Sequence, residues 1–164
     1  MAKIITAAEA ADLIRDGMTL GVSGFGAFAS PDCVMEAISR KFKEQNTPRD
    51  LTIVSGVAPG DFVEDGCGLS KIRDEGIIKT LIASHLRMSP AIGRACSENK
   101  IAAFSMPLGV YGQLMNAIGS KRPGIITHVG LNTYADPRQD GCKMNELAKA
   151  DGREMVELIH VSGK

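Results

Sequence analysis

Met18-Thr19-Leu20-Gly21-Val22-Ser23-Gly24-Phe25-Gly26, followed shortly by Ser30-Pro31-Asp32, is the stretch on which the fold turns. Met18 to Val22 is short and apolar and reads as a buried strand. The glycines at 21, 24 and 26 let the backbone bend tightly and come close to a neighbouring group. Ser30-Pro31-Asp32 then opens a helix, because proline is tolerated in a first turn, and that helix runs to about Glu44. Strand, glycine loop and helix in this order form one unit of an α/β sheet.

Upstream, Thr6 caps a helix over Ala7 to Arg15, with Glu9 placed for a capping box and Ala8, Ala11, Leu13 and Ile14 as its apolar face. Gly17 stands where a helix-terminating glycine belongs. Downstream, Thr47-Pro48-Arg49-Asp50 breaks the second helix and Leu51 to Ser55 reads as the second strand. A glycine-rich loop from Gly56 to Gly68 follows, then a third strand over Ile77 to Ala83. Ser89-Pro90 opens a helix to about Ser97, Ile101 to Phe104 is a fourth strand, and Gly109 to Ile118 a further helix. Gly124 to Val129 reads as a fifth strand and Val156 to Val161 as a sixth. The polar region 134–151 reads as an exposed loop. Short, continuously apolar strands alternating with helices predict α/β architecture, a mostly parallel sheet flanked by helices.

Bulk properties narrow the function. At 164 residues the chain suits one domain, 1–164. Nineteen basic residues balance nineteen acidic ones, so no bulk charge draws it to nucleic acid or a membrane surface. Cys33, Cys67, Cys96 and Cys142 form no Cys-x-x-Cys pair, so no metal site is expected, and reduced thiols fit a cytoplasmic location.

Each motif admits a plain reading beside a chemical one. The glycine loop suits a phosphate or carboxylate at the start of the next helix, or is simply a tight turn. Gly24-x-Gly26-x-x-Ala29 loosely meets a dinucleotide fingerprint, but Ser30-Pro31 delays the helix beyond the motif, which weakens a nicotinamide-dependent reading. His85 follows a strand and is either an acid or base, or a structural hydrogen-bonded imidazole. Glu98 is a nucleophile only if dry and oriented, and a solvated helix-end carboxylate otherwise. Asp136-Pro137-Arg138 reads as a turn with a local ion pair.

In order along the chain, Ser23-Gly24-Phe25-Gly26 with Pro31, Pro59-Gly60-Asp61, Glu75-Gly76-Ile77-Ile78-Lys79, His85, Pro90 and Asn99-Lys100 resemble the family I coenzyme A transferases. Pro107-x-Gly109, Lys121-x-Pro123-Gly124, Val129-Gly130-Leu131, Thr133, Asp136-Pro137-Arg138 and Lys143-x-Asn145 resemble the fused acetate or propionate CoA-transferase type in particular. The resemblance implies the α-half of a NagB/RpiA/CoA transferase-like fold, lacking the β-type half. It also implies ping-pong transfer of CoA between short-chain carboxylic acids, through a glutamyl-CoA thioester on that other half. Gly24, Phe25, Gly26, Pro107, Gly109 and Gly130 would then contact substrate or CoA. No catalytic residue is assigned here and Glu98, by chain order, is not the nucleophile. The chain alone is expected to be inactive, as a fragment, a separately encoded subunit or one product of chain cleavage.

The expected partners are acyl-CoA, a carboxylate, a β-type half and further copies in a homo-oligomer, with no nucleic acid and no membrane. No cofactor is expected, coenzyme A being a substrate. Leu108 stands where the family usually has Gln, Asn132 and Cys142 where it has Gly, and Asn116 where it has Arg. Ala83-Ser84 replaces a glycine pair. These departures carry the alternative reading, a non-catalytic or degenerate ligand-binding or assembly domain.

Overall fold

A computed structural model describes residues 3–161. The chain runs α1 (Ala7–Asp12), β1 (Thr19–Val22), α2 (Asp32–Gln45), β2 (Leu51–Ser55), a 3-10 helix (Gly68–Ile72), β3 (Ile78–Ile82), α3 (Pro90–Ser97), β4 (Ala102–Phe104), α4 (Leu108–Gly119) and α5 (Glu146–Ala150). The four strands form one parallel sheet in the order β1-β2-β3-β4. Order therefore never reverses within the described strands, so this sheet lacks the crevice of a dinucleotide fold. The helix after the glycine loop also starts only at Asp32.

Local chemistry explains most boundaries. The Thr6 hydroxyl accepts from the Glu9 amide at 3.2 Å and the Glu9 carboxylate accepts from the Thr6 amide at 2.8 Å, the capping box in full. That helix stops at Asp12 rather than Arg15, and Leu13, expected on its apolar face, is exposed. Gly17 has φ +72° and its amide donates to the Arg49 carbonyl at 2.9 Å. Asn46 ends α2 in the left-handed conformation, which a short polar side chain tolerates.

Successive strand residues face opposite sides of the sheet, and the two sides differ. On one side Ile53, Leu81 and Ala103 join Met35, Ile38, Leu69, Ile72 and Ile92 in a core of eighteen buried residues beneath α1, α2 and the 3-10 helix. On the other, Ile82, Ala102 and Phe104 meet Met106, Ala135, Cys142 and Ala148, seven buried residues among those described.

That second side corrects three expectations. Gly124 to Val129 is not a strand, although Ile125, Ile126 and Thr127 have the β-branched composition of one. The place beside β4 is held by residues 142–144: Ser105 donates to the Cys142 carbonyl at 2.8 Å and Met144 to the Ala103 carbonyl at 2.9 Å. Val156 to Val161 likewise forms no strand pairing among the described residues and leaves Leu158, Ile159 and Val161 exposed. The region 134–151 is no exposed loop throughout, since it carries α5 and buries Ala135, Asp136, Cys142 and Ala148. Among the described residues no helix is long and apolar enough to cross a membrane.

Candidate functional site

Parallel strands deliver their carboxyl ends to one edge, and the loops that leave them converge there. Ser55 is wholly buried and its hydroxyl donates to the Val22 carbonyl at 2.8 Å, locking the ends of β1 and β2. The Ser84 amide donates to the Gly56 carbonyl at 3.0 Å, and the Ser84 hydroxyl reaches the same oxygen. Ser105 donates its hydroxyl to the Ser84 carbonyl at 2.8 Å and lies 3.1 Å from the Tyr134 hydroxyl. Serine hydroxyls thus hold three loops in register.

The glycine loop is a tight hairpin. Phe25 and Phe28 exchange two amide-to-carbonyl bonds of 3.1 Å, with Gly26 at φ +60° between them. The Gly26 carbonyl accepts from Gly60 at 3.1 Å, and its amide faces the Met88 sulfur at 3.2 Å. At Gly24 φ is +129°, and a Cβ there would lie 3.0 Å from that of Pro59. Conformation and crowding both require glycine at that point. The close neighbour is the chain's own second loop. Gly60 is tighter still, because a Cβ would come 2.2 Å from the Met88 carbonyl oxygen.

Between these loops and α4 lies an open hollow of about 430 Å³ lined by Gly21, Val22, Ser23, Gly24, Gly56 and Tyr111. The Tyr111 ring forms its far wall, and a Cβ at Gly56 would sit 3.4 Å from that ring and from the Leu108 side chain, which packs beside Gly56 without lining the hollow. No charged side chain lines the hollow. Burial raises the pKa of the Tyr111 phenol, so the group stays protonated. Among the described residues its hydroxyl makes no hydrogen bond.

The residues singled out from sequence divide into two places. Gly24 lines the hollow, Gly26 does not and is engaged with Gly60 and Met88, and Phe25 stands exposed at the hairpin. Pro107 is the N-terminal cap of α4 and Gly109 sits in its first turn with open space around it, next to Leu108 and two residues before Tyr111. Gly130 is elsewhere. Its φ is +103°, its carbonyl accepts the Thr133 amide at 3.1 Å and hydroxyl at 2.7 Å, and a Cβ would meet that of Ala135 at 3.2 Å.

Gly130 belongs to a knot around Asp136. This carboxylate is buried and accepts from the Asn132 amide at 2.7 Å, the Arg138 amide at 2.9 Å and the Arg138 guanidinium at 2.6 and 3.0 Å. The guanidinium first, and the two amides next, hold its pKa well below the usual carboxylate range. Asn132 and Cys142, the departures from glycine, have φ of +61° and +69°. Glycine suits those positions because of the left-handed backbone, and neither side chain lines the hollow. Asn116 is exposed on α4, also away from it.

Other titratable groups stand apart. Glu98 ends α3 at the opposite edge of the sheet, exposed and 3.1 Å from Lys100. His85 is half-buried, and its carbonyl accepts from Ala58 at 3.0 Å. Among the described residues its imidazole makes no hydrogen bond, unlike the structural histidine expected. Burial pushes the Cys96 thiol up to about 12 and Cys142 to about 11, so both remain neutral. All four cysteines are free, and no group of three or more metal-ligating side chains occurs among the described residues.

The sequence reading did not reach Gly56 or Tyr111. Gly56 carried a usable signal, as the first residue after a strand in a parallel sheet. Tyr111 carried none, since a helical pattern does not tell which neighbouring loop a side chain meets.

The family model described as Coenzyme A transferase matches residues 4–157. A caffeate CoA-transferase of Acetobacterium woodii is 42% identical over 164 residues, 100% of this chain and 30% of that protein. An acetate CoA-transferase subunit alpha of Escherichia coli K12 is 28% identical over 134 residues, 82% of this chain and 57% of that subunit. The crystal structure of the apoenzyme of the acyl-CoA transferase YdiF from Escherichia coli O157:H7 superposes with a TM-score of 0.89 at 34% identity, covering 98% of this chain and 30% of that one. The chain thus spans about 30% of the length of the longer relatives it matches.

Proposed function

The chain belongs to the coenzyme A transferase family and corresponds to its α-type half, and from that premise we propose that it forms one wall of an enzyme moving CoA between short-chain carboxylic acids. One observation carries the division of labour: the hollow at the sheet's carboxyl edge has glycine backbone and an uncharged far wall, but no carboxylate of its own. A carboxylate nucleophile then comes from a complementary β-type half. It attacks the acyl thioester carbon, the C–S bond breaks, and CoA leaves as thiolate from a mixed anhydride. The thiolate attacks the enzyme's carbonyl of that anhydride, releasing the first acid and leaving a glutamyl-CoA thioester. A second carboxylate reverses both steps. Each exchange is divided into two easier ones, with no net change of oxidation state.

In this reading Gly24, Phe25, Gly26, Pro107 and Gly109 shape the substrate face, and Gly130 supports it from the Asp136 knot. Coenzyme A enters as substrate, with no resident cofactor or metal. Apolar side chains exposed within residues 120–161, among them Ile126, Leu131, Leu158 and Ile159, support burial against the β-type half and assembly into larger oligomers. Four free thiols fit a cytoplasmic enzyme.

The test is CoA exchange from propionyl-CoA to acetate by the chain assembled with a β-type half. Exchange supports the proposal; its absence in a folded complex refutes it. The degenerate-domain reading now rests chiefly on Leu108 and Ser84, which pack against Gly56 beside the hollow, because Asn116, Asn132 and Cys142 lie away from it.

A further inference from the structure

The serine hydroxyls at and beside the hollow already have acceptors. Ser23 donates to the Ala29 carbonyl at 3.2 Å, Ser55 to the Val22 carbonyl at 2.8 Å, and Ser84 to the Gly56 carbonyl. The Gly56 carbonyl also accepts the Ser84 amide at 3.0 Å, so both of its lone pairs are used. Donors at the hollow are in a different state. Ser23, Gly24 and Gly56 line it, and among the described residues their amides donate to no protein acceptor. The Tyr111 hydroxyl also makes no hydrogen bond among them. This wall therefore offers unused donors beside acceptors that are already engaged.

Tyr111 is held firmly in place. Its amide donates to the Pro107 carbonyl at 3.0 Å in the first turn of α4. Its ring lies over Gly56, where a Cβ would stand 3.4 Å from Cε1 and 3.5 Å from Cδ1. The hydroxyl is borne by the ring carbon next to Cε1, so the polar end of the ring stands over the loop that carries the free Gly56 amide. Burial keeps the phenol protonated, and so able to donate. The group that suits such a set of donors is an oxygen anion, because hydrogen bonds to a charged acceptor are stronger than those to a neutral one.

Deepening the transferase reading above and resting on it, we propose that Tyr111 is a further substrate-binding residue: its phenol donates a hydrogen bond to one carboxylate oxygen of the acceptor acid, beside the amides of Ser23, Gly24 and Gly56. No proton is transferred. The acid's other oxygen stays free to attack the glutamyl thioester carbon, and the bonds made and broken are those of the exchange already described. Tyr111 contributes orientation, and loses nothing by it, since its hydroxyl has no protein partner to give up among the described residues.

The experiment uses the transferase assembled with a β-type half, unaltered and as Tyr111→Phe, which keeps the ring over Gly56 and removes only the oxygen. With propionyl-CoA as donor, kcat/KM for acetate should fall by about tenfold or more, the scale of a lost hydrogen bond to a charged acceptor. The melting temperature should stay unchanged. A second readout follows the ultraviolet absorbance of phenolate as pH is raised, in acetate and in chloride of equal concentration. Acetate should move one phenol of the unaltered assembly to higher pH, because a bound anion favours the protonated donor, and Tyr111→Phe should lack that response. A phenol that merely packs against Gly56 would not distinguish acetate from chloride. Unchanged kcat/KM for acetate in Tyr111→Phe, or identical phenol titrations in the two salts, overturns this inference and leaves the transferase reading standing. Activity lost together with melting temperature, and with no acetate response in the unaltered assembly, makes the ring structural and overturns it as well. Failure of the unaltered assembly to exchange CoA at all sinks the transferase reading and this inference with it.

Discussion

The two sides of the sheet are finished to different degrees. Beneath α1, α2 and the 3-10 helix, Ile53, Leu69, Ile72, Leu81 and Ile92 are entirely buried. Across the sheet, α4, α5 and residues 120–161 cover Ile82 and Phe104 yet leave Ile126, Val129, Leu131, Leu158 and Ile159 exposed. The first side hides Ile53, Leu81 and Ala103 of its strands completely, with Leu13 after α1 left exposed. The second has apolar side chains to spare, and it borders the hollow through Tyr111. A stable layer therefore positions the loops, while a less complete layer supplies a wall and a surface to be covered.

The largest effect that separates the two sides is a core deletion. Ile53→Ala should lower the unfolding free energy by about 3 kcal/mol in a urea titration, as for a fully buried branched side chain. A small effect there would mean the first side is not the stabilising layer. Gly60→Ala comes next. Its Cβ would press on the Met88 carbonyl at 2.2 Å, so a loss of about 2 kcal/mol is expected with displacement of the hairpin over residues 25–28. Unchanged stability would show that the loops are not clamped through this contact.

Asp136 sharpens the comparison from the other side. Its folded pKa is depressed, so its ion pair with Arg138 contributes stability fully present above the ordinary carboxylate value. That contribution is lost as pH falls from about 4 through the lower folded value. Asp136→Asn should reduce the melting temperature at pH 7, and the gap from the unaltered protein should close below pH 4. A gap that persists undiminished into strong acid would contradict the ion-pair account. Smallest of all, Ile126→Asp should alter the chain's own stability by no more than about 0.5 kcal/mol, because that side chain is largely solvated already. The same substitution should weaken association with a β-type half by about tenfold or more, as measured by calorimetry.

The first side could be read from the chain itself. Leu51 to Ser55 matches β2 residue for residue, and Ser89-Pro90 marks the start of α3 with its proline in the first turn, because such signals act locally; α2 also starts at Asp32, but Pro31 stands at its N-cap and not in its first turn. On the second side the outcome depended on competition between distant segments. Ile125-Ile126-Thr127 has strand composition, but residues 142–144 occupy the edge of β4 first. The site divided in the same way. Gly24 was visible from a loop following a strand, whereas Tyr111 meets the hollow only through the packing of α4. At Gly130, Asn132 and Cys142 the need for glycine is set by a left-handed backbone, which no side-chain pattern records.

The most direct measurement is CoA exchange by the 164-residue chain with and without a β-type half, with hydroxylamine trapping of any enzyme-bound thioester. The account predicts exchange only in the assembled protein, with the trapped glutamyl adduct located on the β-type half. A trapped adduct on the isolated chain, or exchange catalysed by it alone, would contradict it.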